Sequence, residues 1–310
     1  MSNPQLDLST LKFVDNLPQD QARVQELVTT RLRANPQALI DEYRRRFGDE
    51  FNPDNGAELF AEYSSSPQAR AKYRLAVAGA CGWTIDEAFR QRIAISDPRP
   101  VVFSAGGTAS GKSIMIVDQV RAGAIVLDST FSNYSLSKRR VQQALGSGRC
   151  VIVQYVYREV IEAYGAAIAR SQAEGAGRVV SARTHNLTHK NAPKTVARVI
   201  GEFSGNPRIQ FQLYESSSIR GFERGSSELL RRGEHAREIT EGEQVTLSYY
   251  VDQQPAPALY PKVTADEFEA LSFPEQAEYL SEVARASGNR YRNRPELLLR
   301  ENPHRYFCST

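Results

Sequence analysis

Cysteine is scarce in this 310-residue chain. Cys81, Cys150 and Cys308 are odd in number and stand at no metal-ligand spacing. That excludes a disulfide framework and a thiolate zinc site, and fits a reducing compartment. Histidine is almost as rare. His185 and His189 lie four apart and could share a helix face, but no acidic or thiol partner stands beside them, so a metal site is not expected. Long hydrophobic runs are missing too: no apolar stretch approaches membrane-spanning length, and the first residues lack a positive-then-apolar signal pattern. The expectation is a soluble, cytoplasmic protein without a membrane partner, delivery into another cell being left open. A strong charge excess is also absent. A formal charge of +3 gives no ground for nucleic acid as a partner.

What is present is a phosphate-binding loop. Val101-Val102-Phe103-Ser104-Ala105 is an apolar, strand-like run, and Gly106-Gly107-Thr108-Ala109-Ser110-Gly111-Lys112-Ser113 follows it. Gly106, four residues, then Gly111-Lys112-Ser113 is the complete pattern of a strand-to-helix turn that wraps a nucleoside triphosphate. Glycines let backbone N–H groups converge on phosphate oxygens, Lys112 reaches the β/γ-phosphates, and the Ser113 hydroxyl holds Mg²⁺. The helix from Lys112 onward turns its positive end toward the anion. ATP and Mg²⁺ are therefore the expected cofactors.

The rest of the chain divides around this loop. Residues 1–96 read as helical, with helices over Gln19–Ala34 and from Pro36 to near Gly48, a turn cluster at Asn52–Gly56, and further helices over Glu58–Tyr63, Gln68–Ala80 and Ile85–Ile95. Residues 97–224 read as a nucleotide-binding domain. Its strands, Val101–Ala105, Ala124–Asp128, Cys150–Tyr157 and Arg208–Tyr214, alternate with helical stretches. Near-continuous apolar strands in β-α units predict an α/β fold, a parallel sheet with helices on both faces and ligands at the carboxyl ends of its strands. Residues 225–310 read as an α/β extension, with a helix over Ser226–Arg237, a strand over Gln244–Val251 and a helix capped by Thr264.

Asp128 ends its strand beside the loop, where a carboxylate can bind Mg²⁺ or take a proton from an acceptor hydroxyl. An Asp that only caps the next turn is the plainer alternative. Arg170, Arg178 and Arg183 lie in a glycine-containing stretch, and Arg158 follows the third strand. Arginines over a triphosphate neutralise transition-state charge; ordinary surface arginines are the alternative.

Gly106–Ser113, Ala124–Thr130, Val151–Tyr157, Glu162–Arg170 and Arg178–Thr184 together resemble the zeta-toxin family of P-loop kinases, over about residues 99–216. The resemblance implies an ATP-dependent kinase acting on a hydroxyl of UDP-N-acetylglucosamine or a similar nucleotide sugar, and an antitoxin protein as partner. It implies that Asp128-Ser129-Thr130 contacts the sugar nucleotide and that Arg170 and Arg178 clamp the transferring phosphate; Arg158 and Arg183 are expected at the same cleft from their positions in the chain alone. Two departures accompany it. Ser129 stands where the family usually has Gly. The family's base aspartate sits on an extra strand between the loop helix and the acidic strand, whereas only fourteen residues separate Ser113 from Asp128. Three readings stay open: a nucleotide-sugar kinase, a kinase for another small hydroxyl acceptor, and a nucleotide-binding module without turnover.

Overall fold

The computed structural model of the chain describes residues 6–173, 180–217, 221–224 and 227–240. Val101–Ala105 forms β2, buried at every residue, which is what an uninterrupted apolar run requires of a central strand. Helix α6 (Lys112–Arg121) follows the phosphate loop and leads to β3 (Ile125–Asp128), which pairs parallel with β2. Helix α7 (Tyr134–Gly146) leads to β4 (Val151–Tyr157), parallel to β2 on its other side. Helices α8 (Val160–Ala173) and α9 (Ala182–Phe203) then lead to β5 (Ile209–Ser217), parallel to β4.

The N-terminal region is not helical throughout, as the sequence suggests. Between α2 (Pro36–Phe47) and α3 (Pro53–Ala57) the two residues of β1 (Glu50–Phe51) add a parallel strand outside β3, with Glu50 opposite Val126 and Phe51 opposite Leu127. The parallel order is thus β1-β3-β2-β4-β5. A second difference lies downstream of the short helix α4 (Ala61–Ser64). The two helices expected over 68–80 and 85–95 are one, α5 (Pro67–Ala94), capped by Ser66. Gly82 costs the helix about 1 kcal/mol relative to Ala, but Ala80, Cys81, Trp83, Thr84 and Ile85 around it are all buried, and that burial outweighs the weak residue. The other glycine, Gly79, makes room: a Cβ there would stand 2.0 Å from the Lys12 carbonyl oxygen.

Alternation along the strands sorts the sheet's two faces. Phe51, Phe103, Leu127 and Val153 share the face covered by α5, α7 and α9, and belong to the main core. Here an aromatic row, Tyr43–Phe51–Phe89–Phe103–Phe131 with centroids 5.5–6.0 Å apart, joins α2 and α5 to β1 and β2. Val102 and Val126 point the other way, toward Ile116 of α6. Below the strands' amino ends the buried Arg92 binds Asp49 and Asp97, Arg149 also binds Asp97, and Arg99 bridges both acids. Asp49 immediately precedes β1, so this network fixes the edge strand.

Contacts divide the chain into two units, Met1–Glu215 with Arg224–Thr240, and Ser216–Glu223 with Glu241–Thr310. The first also contains α1 (Gln19–Ala34) and α10 (Glu228–Glu234). Of the second, the described part is the end of β5 and most of the short strand β6 (Gly221–Arg224). The strand expected over 244–251 and the helix capped by Thr264 lie outside the described residues. Among the described residues no helix is long and apolar enough to cross a membrane.

Candidate functional site

The loop leaves the carboxyl end of β2 in a conformation that its residues dictate. Gly106 has φ 138°, and a Cβ there would meet the Val156 carbonyl oxygen at 2.5 Å, so only glycine fits. Its N–H donates to the Thr130 carbonyl at 3.2 Å, which ties the loop to the end of β3. Ala109 has φ 57° and Gly111 φ 98°, the left-handed backbone that curls a loop around an anion. Lys112 Nζ donates to the carbonyls of Gly106 (3.0 Å) and Gly107 (2.8 Å), bending over the loop it closes. Ser110 Oγ is wholly buried and has no hydrogen-bond partner among the described residues. Ser113 is exposed in the first turn of α6. Glycine cradle, convergent lysine, orphaned hydroxyl and helix start fit a triphosphate, with Ser113 and Asp128 as the oxygen donors suited to Mg²⁺.

On one side of the loop stand carboxylates. Asp128 sits opposite Ser104 in the parallel register. The Ser104 hydroxyl donates to Asp128 Oδ1 at 2.6 Å, and the Asn52 amide donates to Asp128 Oδ2 at 2.9 Å. Each of these partners comes from another strand or strand end, so Asp128 is held across the sheet rather than within its own turn. The Ser104 hydroxyl also accepts from the Ser129 N–H, and the Ser129 hydroxyl from that of Phe131. Thr130 Oγ1 pairs with Ser132 Oγ. Glu50, one pair down β1, shares this face by alternation. Burial, then the charge of Asp128, raises its carboxyl above the usual carboxylate range, opposed by a hydrogen bond with the Asn52 side chain.

On the other side stands α9. Thr188 Oγ1 accepts from the Thr108 N–H at 3.1 Å and lies 3.1 Å from Thr108 Oγ1. His189 Nε2–H donates to the Thr108 carbonyl at 2.9 Å, and His185 Nε2–H to the Val160 carbonyl at 2.9 Å. The two rings lie 4.3 Å apart, as the four-residue spacing allows. Both are buried and neutral. Burial pushes His185 down to about 4 and His189 to about 3, the latter further depressed by His185, Lys112 and Arg158. Among the described residues no group of three or more metal-ligating side chains gathers anywhere.

Arg158 reaches the loop: its Nη1 donates to the Ala109 carbonyl at 3.4 Å, and Glu162 lies 3.9 Å from its Nε. Burial disfavours its charged form, opposed by Glu162. Arg183 is exposed in the first turn of α9. Arg170 belongs to α8, but its side chain lies outside the described residues, as does Arg178 altogether. Thr188 and His189 meet the loop, Ser104 and Asn52 hold Asp128 beside it, and Glu50 shares the face of Asp128, none of them having been singled out for the loop. Only the His185–His189 spacing offered a local signal; the others are joined by pairings across 24 to 80 positions.

Residues 115–217 match the family model for zeta toxin, beginning just after the loop's Ser113. Among curated proteins none matches the chain. Similar solved structures include the AvrRxo1-ORF1:AvrRxo1-ORF2 complex, 12% identical over 64% of this chain and 78% of that one, with a TM-score of 0.36. The same complex with sulphate ions is 12% identical over 64% and 82%, at 0.35. The PezAT chromosomal toxin-antitoxin system of the human pathogen Streptococcus pneumoniae is 9% identical over 76% and 95%, at 0.41. The stretch 115–217 is therefore similar to the zeta-toxin family.

Proposed function

We propose that the protein is an ATP-dependent phosphotransferase that moves the γ-phosphate to a hydroxyl of a small molecule, a nucleotide sugar such as UDP-N-acetylglucosamine being the acceptor that the resemblance implies. The observation that carries this reading is the loop itself, curled between β2 and α6 with Lys112 across it and Asp128 held at the end of the neighbouring strand. Backbone N–H groups from Gly106 to Ser113 and Lys112 bind the phosphates. Ser113 would hold Mg²⁺, which would supply charge neutralisation on the phosphate oxygens, with Asp128 either sharing the metal or taking the acceptor's proton. The bond between the γ-phosphorus and the β,γ-bridging oxygen breaks as the acceptor oxygen bonds to phosphorus. The acceptor's proton passes to a carboxylate, and two are available: Asp128, and Glu50 with its raised proton affinity. Arg158, Arg170, Arg178 and Arg183 are the cations proposed to bind substrate or offset charge developing on the phosphoryl group. The protein works in the cytoplasm, and an antitoxin is the protein partner that the resemblance implies.

Incubation with Mg·ATP and a panel of nucleotide sugars, followed by mass spectrometry, tests the reading. One acceptor should gain a single phosphate, and Lys112→Ala should abolish the gain. Phosphate on a different hydroxyl compound would keep the kinase and change its substrate. Mg·ATP binding without transfer to any acceptor or to water would leave a nucleotide-binding module.

A further inference from the structure

Gly106 and Gly107 are adjacent glycines required for different reasons. Gly106 needs its left-handed backbone, whereas Gly107 has no positive φ. What Gly107 lacks is space: a Cβ there would lie 2.1 Å from Cδ2, 2.3 Å from Cγ and 2.3 Å from Nε2 of His189. The imidazole of α9 is packed against the loop's backbone with room for a hydrogen and nothing larger. The next residue is held on both sides from the same helix, since Thr108 gives its N–H to Thr188 and takes the Nε2–H of His189 on its carbonyl. One residue further on is Ala109, in left-handed backbone at φ 57°. For a residue with a Cβ that conformation is strained, and it persists only where the surroundings over-determine it. Thr188 holds the peptide N-terminal to Thr108, His189 the peptide between Thr108 and Ala109, and Arg158 reaches the carbonyl of Ala109 itself.

We propose that α9 is the clamp of the phosphate loop, with His189 and Thr188 as positioning residues that hold the Thr108–Ala109 turn in the shape a nucleotide requires. Two other roles for His189 fail on the same geometry. Its Nε2 is committed as a donor to a carbonyl, as is that of His185, which leaves each ring only Nδ1, and among the described residues no third ligating side chain joins the pair. Its ring is neutral down to about pH 3, so it is no cation for phosphate. What it supplies is a flat surface and one directed hydrogen bond. Without them the bound loop must be assembled at the expense of affinity.

The inference rests on the nucleotide reading of the loop, so its test has one readout with nucleotide and one without. Affinity is measured with a fluorescent ATP analogue and Mg²⁺, and loop order by amide hydrogen exchange at Thr108–Ser110 in the free protein. His189→Leu keeps the bulk and removes the donor; it should lose about tenfold in affinity, within the range of the strain left unsupported, and exchange faster at these amides. His189→Gln, which can place an amide donor near the lost Nε2–H, should recover most of both. Thr188→Val, at a half-buried position, should show the same losses on a smaller scale and decides the matter if His189→Leu does not fold. Gly107→Ala should weaken binding by the clash, and adding His189→Ala should restore part of it, a coupling that two independent sites would not show. Wild-type affinity and exchange in both His189→Leu and Thr188→Val would overturn the clamp, as would a Gly107→Ala variant unaffected in both. Accelerated exchange in these variants of a protein that binds no nucleotide would keep the clamp and overturn the nucleotide reading instead.

Discussion

The two flanks of the phosphate loop are built from opposite materials. Toward β3 and β1 the loop faces two carboxylates, both partly solvated, with the side chains of Ser104 and Asn52 donating to Asp128. Toward α9 it faces two imidazoles buried and stripped of charge, aimed at backbone carbonyls. On the proposed reading, charge that would meet metal, phosphate or a transferring proton stays where water can reach it. Shape is held where water cannot, because a dry contact is rigid and a buried charge is costly. The difference assigns chemistry to one flank and geometry to the other, and each assignment can be broken separately.

The largest effect is expected on the acidic flank. Asp128→Asn and Glu50→Gln each keep shape and remove a proton acceptor. The variant lacking the group that takes the acceptor's proton should lose about 10²- to 10⁴-fold in kcat with Mg·ATP affinity intact. If Asp128 is instead a metal ligand, Asp128→Asn should weaken Mg²⁺ dependence and nucleotide binding together. Single-turnover rates and Mg²⁺ titrations of the two variants distinguish the roles, and wild-type behaviour in both would remove the carboxylates from the reaction.

Next in size is the acid response of the histidine flank. His185 and His189 have folded-state values of about 4 and about 3, below the ordinary 6.5 of the unfolded chain. The unfolded state therefore takes up more protons below pH 6.5. Their contribution to stability is complete above that value and falls as pH drops through 6.5 toward 4 and 3, at up to about 1.4 kcal/mol per pH unit for each ring. Lys112, Arg158 and Glu159 are the charged groups that bear on the pair. Urea midpoints taken from pH 8 down to 4.5 should fall, and His189→Gln should flatten the slope. An unchanged slope would mean that the rings are not buried as described.

Nucleotide stabilisation is a smaller quantity, about 2.7 kcal/mol at a hundredfold excess of ligand over Kd. Lys112→Ala should erase it in a thermal-shift measurement, and no shift with wild-type protein and either ATP or GTP would sink the phosphate-loop assignment. The smallest effect belongs to Asn52→Ala. It removes a charge-assisted hydrogen bond to Asp128, worth about 1.5–3 kcal/mol when desolvated and less at this half-buried position, together with the cap of the short helix α3. A modest fall in stability with a measurable change in rate would show that the N-terminal region tunes the acid; a change in stability alone would restrict Asn52 to structure.

Legibility in the sequence followed locality. Val101–Ala105, the loop, and the Asp128 strand end announce themselves within a few residues because backbone period and glycine placement are local signals. The long helix α5 was harder, since Gly82 resembles a break until its packed neighbours are counted. The strand β1 had no signal at all: two residues cannot display an alternating pattern, and Asn52 reads as a turn residue because it caps α3 as well as donating to Asp128. His189 was visible as half of an i, i+4 pair, but its partner Gly107 stands 82 positions earlier and is recognised only through the space a side chain would need.

The pairing of β1 with β3 has a further consequence for colloidal behaviour. Without residues 50–51, β3 would become the border of the sheet and leave the backbone N–H and C=O of Val126 unpaired on an apolar strand, a template open to a second chain. Two residues, moored by Asp49 to Arg92 and Arg99, therefore cover that border, and loosening them is expected to favour self-association. A variant that loosens the mooring, such as Arg92→Leu, should first reveal itself as a concentration-dependent rise in light scattering.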